Sequence, residues 1–113
     1  MSHRGEHAED LAGAFLQRQG LELVERNYRC RFGEIDLIAR DGKTLVFVEV
    51  RLRASASFGG AAASITAAKR GKLTRAARHY LAGAARTPAC RFDAVLITGT
   101  ELALEWLKNA FDE

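Results

Sequence analysis

The sequence predicts an α/β fold with the element order αβββαβ, in which a mixed sheet is flanked by helices. Two stretches, 7–19 and 66–85, carry apolar residues at the helical spacing. Between them lie three runs of β-favouring residues, and a fourth run, 90–98, follows the second helix. Because a strand–helix–strand crossover is right-handed and joins parallel strands, we expect this last run to lie parallel to the strand that carries Glu49.

The first predicted helix runs from about His7 to Gln19 and ends at Gly20. Its apolar residues form one buried stripe, made of Ala8, Leu11, Ala12, Phe15 and Leu16. Glu9 falls on the edge of this stripe, whereas the other acidic residues of the helix point away from it. Glu9 can therefore lean toward the sheet, and the alternative is a solvated flank residue.

A strand is predicted over 21–29, just before the acidic part of the sheet. Three arginines, Arg26, Arg29 and Arg31, cluster at its end. They are suited to contacting phosphate, and equally to balancing the carboxylates that follow. The sequence leaves both alternatives open.

A β-hairpin over 33–51 is predicted to be the centre of the fold. Asp41-Gly42 is a strong two-residue turn signal with β-favouring residues on both sides. Pairing Arg40 with Lys43 then sets the register of the hairpin. In that register the opposite pairs include Asp36 with Phe47 and Glu34 with Glu49.

Alternation along the two strands predicts a charged patch on one face of the hairpin. This face carries Glu34, Asp36, Glu49 and Arg51 beside Leu45 and Phe47, and the other carries Ile35, Leu37, Val46, Val48 and Val50. Asp36 and Glu49 are diagonal neighbours, roughly 7 Å apart. Two such carboxylates can hold Mg²⁺ or Mn²⁺, since magnesium takes one or two carboxylates plus waters and phosphate oxygens. A solvated face paired by Arg51 and Arg40 is the alternative, although Phe47 argues against a fully wet surface.

The second predicted helix runs from about Thr66 to Ala85, with Ser64 or Thr66 as its N-cap. Its buried stripe consists of Leu73, Ala76, Ala77, Tyr80, Leu81 and Ala84. Lys69 lies one turn before this stripe and points in the same direction. Its amine can reach the acidic patch, or can stay in water while its stem covers the core edge.

The charge of the chain is segregated along the sequence. The net charge is only +3, yet 51–91 holds nine basic residues and no acidic one, so the rest of the chain carries an acidic excess. A long stretch of one sign attracts polyanions, because phosphate neutralisation supplies most non-specific nucleic-acid affinity. The expected DNA-binding residues are Arg53, Lys69, Arg70, Lys72 and Arg75. A solvated helix face is the alternative.

Composition sets further limits. The 113 residues, nearly half of them apolar, suffice for one modest core, which predicts a single domain over 1–113. The first residues lead into charged sequence without an apolar run, so we expect neither a secretory signal nor a membrane span. We therefore expect a cytoplasmic protein. Cys30 and Cys90 lack ligand spacing and are expected to be buried thiols at strand ends.

Three remaining segments carry weaker expectations. The Ala-, Ser- and Gly-rich stretch 54–64 is expected to form a mobile loop that orders on substrate. Asp93 is as suited to pairing with Arg91 as to joining a site. From Glu101 onward, the sequence favours a short strand followed by a turn.

Two sets of motifs resemble known nucleases. Asp36 followed by Glu49-Val50-Arg51 resembles the Asp…Glu-x-Lys signature of the restriction-endonuclease-like superfamily. Gly33-Glu-Ile-Asp-Leu-Ile-Ala, Val46-Phe-Val-Glu-Val-Arg and Arg91-Phe-Asp93 are similar to the YraN family, whose members are predicted endonucleases related to Holliday junction resolvases. The resemblance covers nearly the whole chain.

The resemblance implies a restriction-endonuclease-like fold and a magnesium-dependent phosphodiesterase that acts on DNA. It implies metal ligands at Asp36, Glu49, the carbonyl of Val50 and Glu9, and catalytic roles for these carboxylates. Superfamily enzymes usually carry lysine where this chain has Arg51, and arginine cannot act as a base, although it can stabilise charge on the phosphate. Either Lys69 supplies the catalytic amine from the helix, or the metal-bound water needs no base, or the protein is inactive. Resolvases of this type are usually dimers, so a homodimer is expected by analogy. The alternatives are a DNA-binding domain of this fold without activity, and a basic face that binds an acidic protein.

Overall fold

A computed structural model describes residues 3–53, 66–84, 86–98 and 103–111. The elements in chain order are α1 (His3–Arg18), β1 (Glu22–Cys30), β2 (Gly33–Asp41), β3 (Thr44–Arg53), α2 (Ala67–Leu81), β4 (Cys90–Thr98) and β5 (Ala103–Phe111). The predicted order αβββαβ is confirmed, and β5 adds a strand. The predicted loop over 54–64 lies outside the described residues. Neither helix of the described ranges is long and apolar enough to cross a membrane.

The five strands form one mixed sheet in the order β1-β2-β3-β4-β5. β3 and β4 are parallel, whereas the other neighbours are antiparallel. The predicted parallel pairing is therefore confirmed. α2 begins after Thr66, whose side chain accepts a hydrogen bond from the backbone N–H of Lys69 at 3.1 Å, so Thr66 is the N-cap. The helix ends at Leu81, four residues before the predicted end.

Each face of the sheet packs under one helix. The α2 face buries Ile35, Ile38, Leu45, Phe47, Phe92 and Ala94 against Leu73, Ala76 and Ala77. The α1 face buries Leu37, Ala39, Val46, Val48, Val95 and Ile97 against Ala8, Ala12 and Leu16. β3 contributes to both layers along its length, because its alternate side chains enter opposite cores. Glu49 has the same parity as Leu45 and Phe47, which directs it toward α2.

The predicted hairpin register is wrong by two residues. Arg40 pairs with Leu45 rather than with Lys43, and Phe47 lies opposite Ile38 rather than Asp36. The turn residues are Gly42 and Lys43, and Gly42 adopts a positive φ of 62°. A shift of two residues keeps every side chain on its face. The last pair of the ladder is Leu37 with Val48, so continuing this register brings Asp36 next to Glu49 instead of diagonal to it.

The alternation of β2 is interrupted at Asp36. Leu37 packs under α1 but Ile35 packs in the α2 core, so the prediction that these two share a face is wrong. Asn27, opposite Asp36 on β1, adopts a left-handed conformation with φ of 53°. The pairs on either side are Arg26 with Leu37 and Tyr28 with Ile35. Both strands therefore leave regular pleating where Asp36 lies.

The C-terminal part differs from the prediction of a short strand and a turn. β5 is one strand whose register against β4 shifts between Phe92 and Ala94, and Asn109 adopts a φ of 55°. The buried Asp93 explains this shape, because it accepts hydrogen bonds from Trp106 Nε1 at 3.0 Å and from the backbone N–H of Asn109 at 2.9 Å. Arg91 also binds Asp93 through Nε at 3.0 Å.

Both cysteines are thiols at strand ends, as expected, but neither is buried. Cys30 ends β1 and is half-buried. Cys90 begins β4, is exposed, and donates from its thiol to the carbonyl of Pro88 at 3.2 Å. Cys90 lines an open cavity between the start of β4 and α2, beside Ala77, Arg78 and Leu81.

Candidate active site

Glu49 is the buried acidic residue of the candidate site. Its side chain is only 3% exposed, although it lies on a strand whose neighbouring positions are apolar. One oxygen, Oε2, lies 3.5 Å from Lys69 Nζ and 3.6 Å from Arg51 Nη1. The other oxygen, Oε1, is buried without a hydrogen-bond partner in the described part of the chain. A buried carboxylate oxygen without a partner is costly, which marks this position for a ligand.

Asp36 lies beside Glu49 and is held by the backbone of β3. Its Oδ2 accepts a hydrogen bond from the N–H of Val50 at 2.9 Å. The interruption of pleating on β2 allows this contact, since a regularly pleated side chain would project into a core layer. The N–H and C=O of one strand residue point toward the same neighbouring strand. The carbonyl of Val50 is therefore directed to the edge that Asp36 occupies.

The pKa of Asp36 is raised to about 7. Burial is the largest cause, because it disfavours the charged form, and the negative charge of Glu49 is the second. The hydrogen bond from the N–H of Val50 acts in the opposite direction, and one between the Asp36 and Glu49 side chains raises the pKa further. Asp36 is therefore expected to gain or lose its proton close to neutral pH.

Lys69 reaches the site from the first turn of α2. The prediction that it points along the buried stripe is confirmed, and its amine contacts Glu49 rather than only lying at the core edge. Arg51 approaches the same carboxylate from β3, two residues along the strand. A lysine and an arginine thus converge on one oxygen. Both side chains stay partly exposed, at 37% and 38%, so they can also meet a substrate.

Glu9 lies next to the site but has its own partners. Its side chain is 13% exposed, and Arg26 Nη2 lies 3.6 Å from Oε1. Burial raises the pKa of Glu9, and the charge of Asp36 raises it further, while a hydrogen bond with Asn27 and the charge of Arg26 lower it. Glu9 thus leans toward the sheet, as the helical pattern predicted, and is electrostatically coupled to Asp36.

The donor set fits a hard divalent cation with few protein ligands. Among the described residues, no three His, Cys, Asp or Glu side chains converge as a ligand group. Asp36 and Glu49 supply two carboxylates, Glu49 Oε1 needs a partner, and Val50 offers a carbonyl at the same edge. Magnesium is commonly bound by one or two carboxylates and completes its shell with waters and phosphate oxygens. Glu9 is a neighbour of this pair, and its role as a ligand stays a prediction.

The other charged residues of the hairpin are paired outside the site. Glu34 lies opposite Arg29 on β1 and accepts a hydrogen bond from its Nε at 3.0 Å. Arg40 binds Glu22 at 3.2 Å. Two of the three arginines before the hairpin therefore balance carboxylates, since Arg26 also binds Asp10 at 2.7 Å. The third, Arg31, lies over the ring of Phe32.

The predicted DNA-binding residues are distributed along α2 and the end of β3. Lys72 and Arg75 are exposed on the outer face of α2, whereas Arg70 is half-buried. Lys69 faces Glu49, as described above. The side chain of Arg53 lies outside the described part of the structure. Within the described ranges, Lys72 and Arg75 form no ion pair, so the outer face of α2 carries positive charge without acidic partners.

A family model matches residues 8–97 and is described as uncharacterised protein family UPF0102. The chain belongs to the UPF0102 family. Similar UPF0102 proteins occur in Nitrosomonas europaea, 64% identical over 98% of this chain and 95% of the relative, and in Nitrosospira multiformis, 60% identical over 96% and 92%. A UPF0102 protein of Cupriavidus taiwanensis is 62% identical over 96% of this chain and 82% of the relative. The resemblance to a family of uncharacterised bacterial proteins is thus supported at the family level.

Two residues of this UPF0102 chain were missed from the sequence, Asn27 at the candidate site and Phe32 outside it. Asn27 lowers the pKa of Glu9 and adopts a left-handed conformation opposite Asp36. Its signal was present, because asparagine within a strand is a common left-handed residue. Phe32 lies beside His79 of α2 with ring centroids 5.9 Å apart. An aromatic residue between Arg31 and Gly33 was the signal for this contact.

Proposed function

We infer that this UPF0102 protein is a magnesium- or manganese-dependent endonuclease that hydrolyses phosphodiester bonds of DNA. The observation that carries the inference is the Asp36–Glu49 pair, in which Glu49 is buried and Asp36 is half-buried. Asp36 accepts a hydrogen bond from the N–H of Val50, and Glu49 contacts the amine of Lys69. Burying two adjacent carboxylates costs stability. A structural role does not explain that cost, whereas a divalent cation offsets it.

The cation and the chain have separate roles in the proposed reaction. When bound, a divalent cation lowers the pKa of water and neutralises charge on the phosphate. Asp36 and Glu49 hold the cation, and Val50 contributes a carbonyl. The guanidinium of Arg51 stabilises negative charge that develops on the phosphate, because it stays protonated and donates hydrogen bonds.

Lys69 is proposed to take the role of the lysine that superfamily enzymes usually carry at the position of Arg51. Its amine reaches Glu49 from α2, a different element, and ends at the same carboxylate that Arg51 contacts. An amine can orient a water molecule and accept a proton, which a guanidinium cannot do at ordinary pH. Glu9 is proposed to assist from α1 by keeping the field around Asp36 negative.

DNA is the proposed substrate because the site lies beside the basic face of α2. Lys72 and Arg75 follow Lys69 on this helix, and the proposal adds Arg53 and Arg70 as backbone contacts. Branched DNA is included because the resemblance points to junction resolvases. By the same analogy, we propose a cytoplasmic homodimer that cuts two strands symmetrically.

The test is cleavage of a four-way junction and of a linear duplex with the same sequence, each with Mg²⁺, Mn²⁺ or EDTA. We expect cuts only with metal, and loss of cutting in Asp36→Ala and Glu49→Gln. Glu22→Gln is the matched control, because Glu22 is a surface carboxylate on β1 that is 71% exposed. Cleavage that persists in Asp36→Ala would contradict the proposal.

A DNA-binding domain without activity is the second candidate, and Arg51 is the observation that favours it. If Lys69 does not replace the missing lysine, the fold retains its basic face and loses the reaction. This candidate predicts DNA binding that weakens with salt and is the same with Mg²⁺ or EDTA. It also predicts that Asp36→Ala binds DNA like the unmodified protein and that no DNA is cut.

A further inference from the structure

We propose that the turn between β1 and β2 binds the unpaired bases of single-stranded DNA, at a surface that also includes the outer face of α2. We call this surface the stacking corner and define it by Arg31, Phe32, Lys72, Arg75 and His79. The proposal rests on the DNA substrate proposed above and adds a substrate class, namely DNA with a single-stranded segment beside the cut position.

Aromatic contacts hold the corner in place. Tyr28 of β1 lies against Tyr80 of α2, with ring centroids 5.1 Å apart, and its hydroxyl hydrogen-bonds the Nδ1 of His79. The imidazole of His79 in turn contacts the ring of Phe32, with centroids 5.9 Å apart. The turn between β1 and β2 therefore packs against α2 through contacts between aromatic rings. A rigid aromatic surface loses little conformational entropy when a base stacks on it.

Arg31 and Phe32 form a stacked pair at the surface. The guanidinium carbon of Arg31 lies 4.8 Å from the centroid of the Phe32 ring, and Arg31 is exposed. Planar guanidinium groups and aromatic rings are the groups on which proteins stack unpaired bases. A buried structural role would place this pair in one of the two cores. Instead it lies beside the basic helix face, where a base can add a further layer.

Two cationic side chains, Lys72 and Arg75, lie on one side of this pair, and the imidazole of His79 lies on the same helix face. Lys72, Arg75 and His79 are spaced i, i+3 and i+7 on α2, so they form one stripe. This stripe adjoins the turn, because a Cβ placed on Gly33 would lie 3.5 Å from the Cβ of Lys72. In the described part of the chain, no carboxylate pairs with Lys72 or Arg75. The stripe is thus available to the phosphates that flank a stacked base.

The stacking corner and the candidate active site are separated by a few nucleotide lengths. Lys69 and His79 are ten residues apart on α2, which corresponds to about 15 Å along the helix axis. Along β2, the path from Phe32 to Asp36 spans about 13 Å. Both routes correspond to roughly four nucleotides at the stacked rise of a DNA strand. A base held at the corner would therefore place the bond to be cut a few nucleotides away.

The proposal is tested by binding in EDTA, where cutting does not interfere. The probes are a single-stranded oligonucleotide with one 2-aminopurine, a blunt duplex of the same sequence and the duplex with a single-stranded overhang. We expect quenching of 2-aminopurine by the unmodified protein, and tighter binding of the overhang than of the blunt duplex. Phe32→Leu keeps an apolar side chain and removes the ring. It should abolish the quench and weaken single-strand binding by roughly 5- to 100-fold.

Controls separate stacking from charge. Phe32→Trp should retain both the quench and the affinity, whereas Lys72→Ala should weaken duplex and single-strand binding together. Arg31→Ala removes only an exposed side chain, so it tests the pair even if Phe32→Leu fails to fold. If Phe32→Leu or Arg31→Ala binds single strands and quenches like the unmodified protein, the proposal is overturned. Equal loss of duplex binding in these variants would also overturn it.

The outcome is independent of catalysis. Asp36→Ala should quench 2-aminopurine like the unmodified protein, because Asp36 lies outside the corner. A protein that quenches through Phe32 but cuts no DNA would remove the endonuclease proposal and keep this one. If the protein cuts DNA with metal and Phe32→Leu still binds single strands like the unmodified protein, the endonuclease proposal stands and this one is removed.

Discussion

The amine of Lys69 lies 3.5 Å from Oε2 of Glu49, although the two residues come from different elements, α2 and β3. The contact matters because Arg51 occupies the strand position at which the resembled nucleases usually carry a lysine. The carboxylate of Glu49 therefore contacts a guanidinium from its own strand, Arg51, and an amine from α2, Lys69. Both the proposed chemistry and the pH dependence of stability depend on this arrangement.

Lys69→Ala is predicted to reduce DNA cleavage by about 10²-fold or more, the usual contribution of a positioned acid–base group. Adding Arg51→Lys to this variant should restore part of the activity, because it places an amine at the strand position. Cleavage rates with Mn²⁺ measure both effects. Lys43→Ala is the control, since Lys43 lies in the hairpin turn and is exposed. Full activity of Lys69→Ala would exclude the role proposed for its amine.

Asp36→Asn is predicted to stabilise the protein at pH 8 and to have little effect near pH 4. The folded-state pKa of Asp36 is raised to about 7, above about 3.9 in an unfolded chain. Between these values the folded state holds a proton that the unfolded state has released, so the free energy of unfolding falls as the pH rises to about 7. Asparagine avoids this loss.

The gain at pH 8 should be on the order of 1–3 kcal/mol. Urea unfolding at both pH values measures it, with Glu22→Gln as the carboxylate control. A gain of the same size at pH 4 and pH 8 would show that the titration of Asp36 is not its cause.

Mg²⁺ is predicted to raise the melting temperature more at pH 8 than at pH 6. Metal ligands must be deprotonated, and Asp36 is mostly protonated below pH 7 when no cation is present. A ligand that binds only the folded state stabilises it according to its affinity. Thermal unfolding with and without Mg²⁺ measures the shift. Glu49→Gln should abolish it, whereas a shift of equal size in this variant would mean that the cation binds elsewhere.

Asp93→Ala is predicted to destabilise the protein by about 3–5 kcal/mol, because it leaves half-buried donors of Arg91 and Trp106 without their buried acceptor. The emission of Trp106, the single tryptophan of the chain, should change as well. The Mg²⁺-induced thermal shift should persist, because Asp93 lies outside the candidate site. Loss of that shift in a folded Asp93→Ala protein would contradict a purely structural role.

Gly33→Ala is predicted to cost on the order of 1–3 kcal/mol of unfolding free energy. Gly33 has a φ of +149°, which side chains rarely adopt, and a Cβ there would lie 3.5 Å from the Cβ of Lys72. Gly83→Ala is the matched control, because a Cβ placed on Gly83 would have nothing within 4 Å of it. Denaturant unfolding distinguishes the two, and equal stabilities would show that Gly33 is not required.

The sequence was sufficient to predict the helices, the strands of the core and the direction of the Lys69 side chain, because helical and strand periodicities depend on local residues. It was not sufficient for the register of the hairpin. A slip of two residues does not change the face that alternation assigns to each residue, so only the turn could decide the register. Asp41-Gly42 and Gly42-Lys43 are both compatible with one glycine at positive φ.

Other features depended on contacts between distant segments. Asn27 adopts its left-handed conformation where β1 and β2 part, and no local pattern shows which neighbour Glu9 would meet. Trp106 and Asn109 bend around the carboxylate of Asp93. The apolar residues after Glu101 fit both a strand and a helical turn. The buried carboxylate of Asp93, which comes from β4, decides between them.

The strands of the sheet stand in the order in which they are synthesised. Every antiparallel pair joins strands that are adjacent in the chain, so these pairings have low contact order and should form early. The parallel pair of β3 and β4 is different, because the segment that carries α2 must close before it can form. We expect the docking of β4 onto β3 to limit the folding rate. Asp36 and Glu49 come together when β2 pairs with β3, whereas Lys69 lies on the segment that closes in this last step, so its amine would reach Glu49 only late in folding.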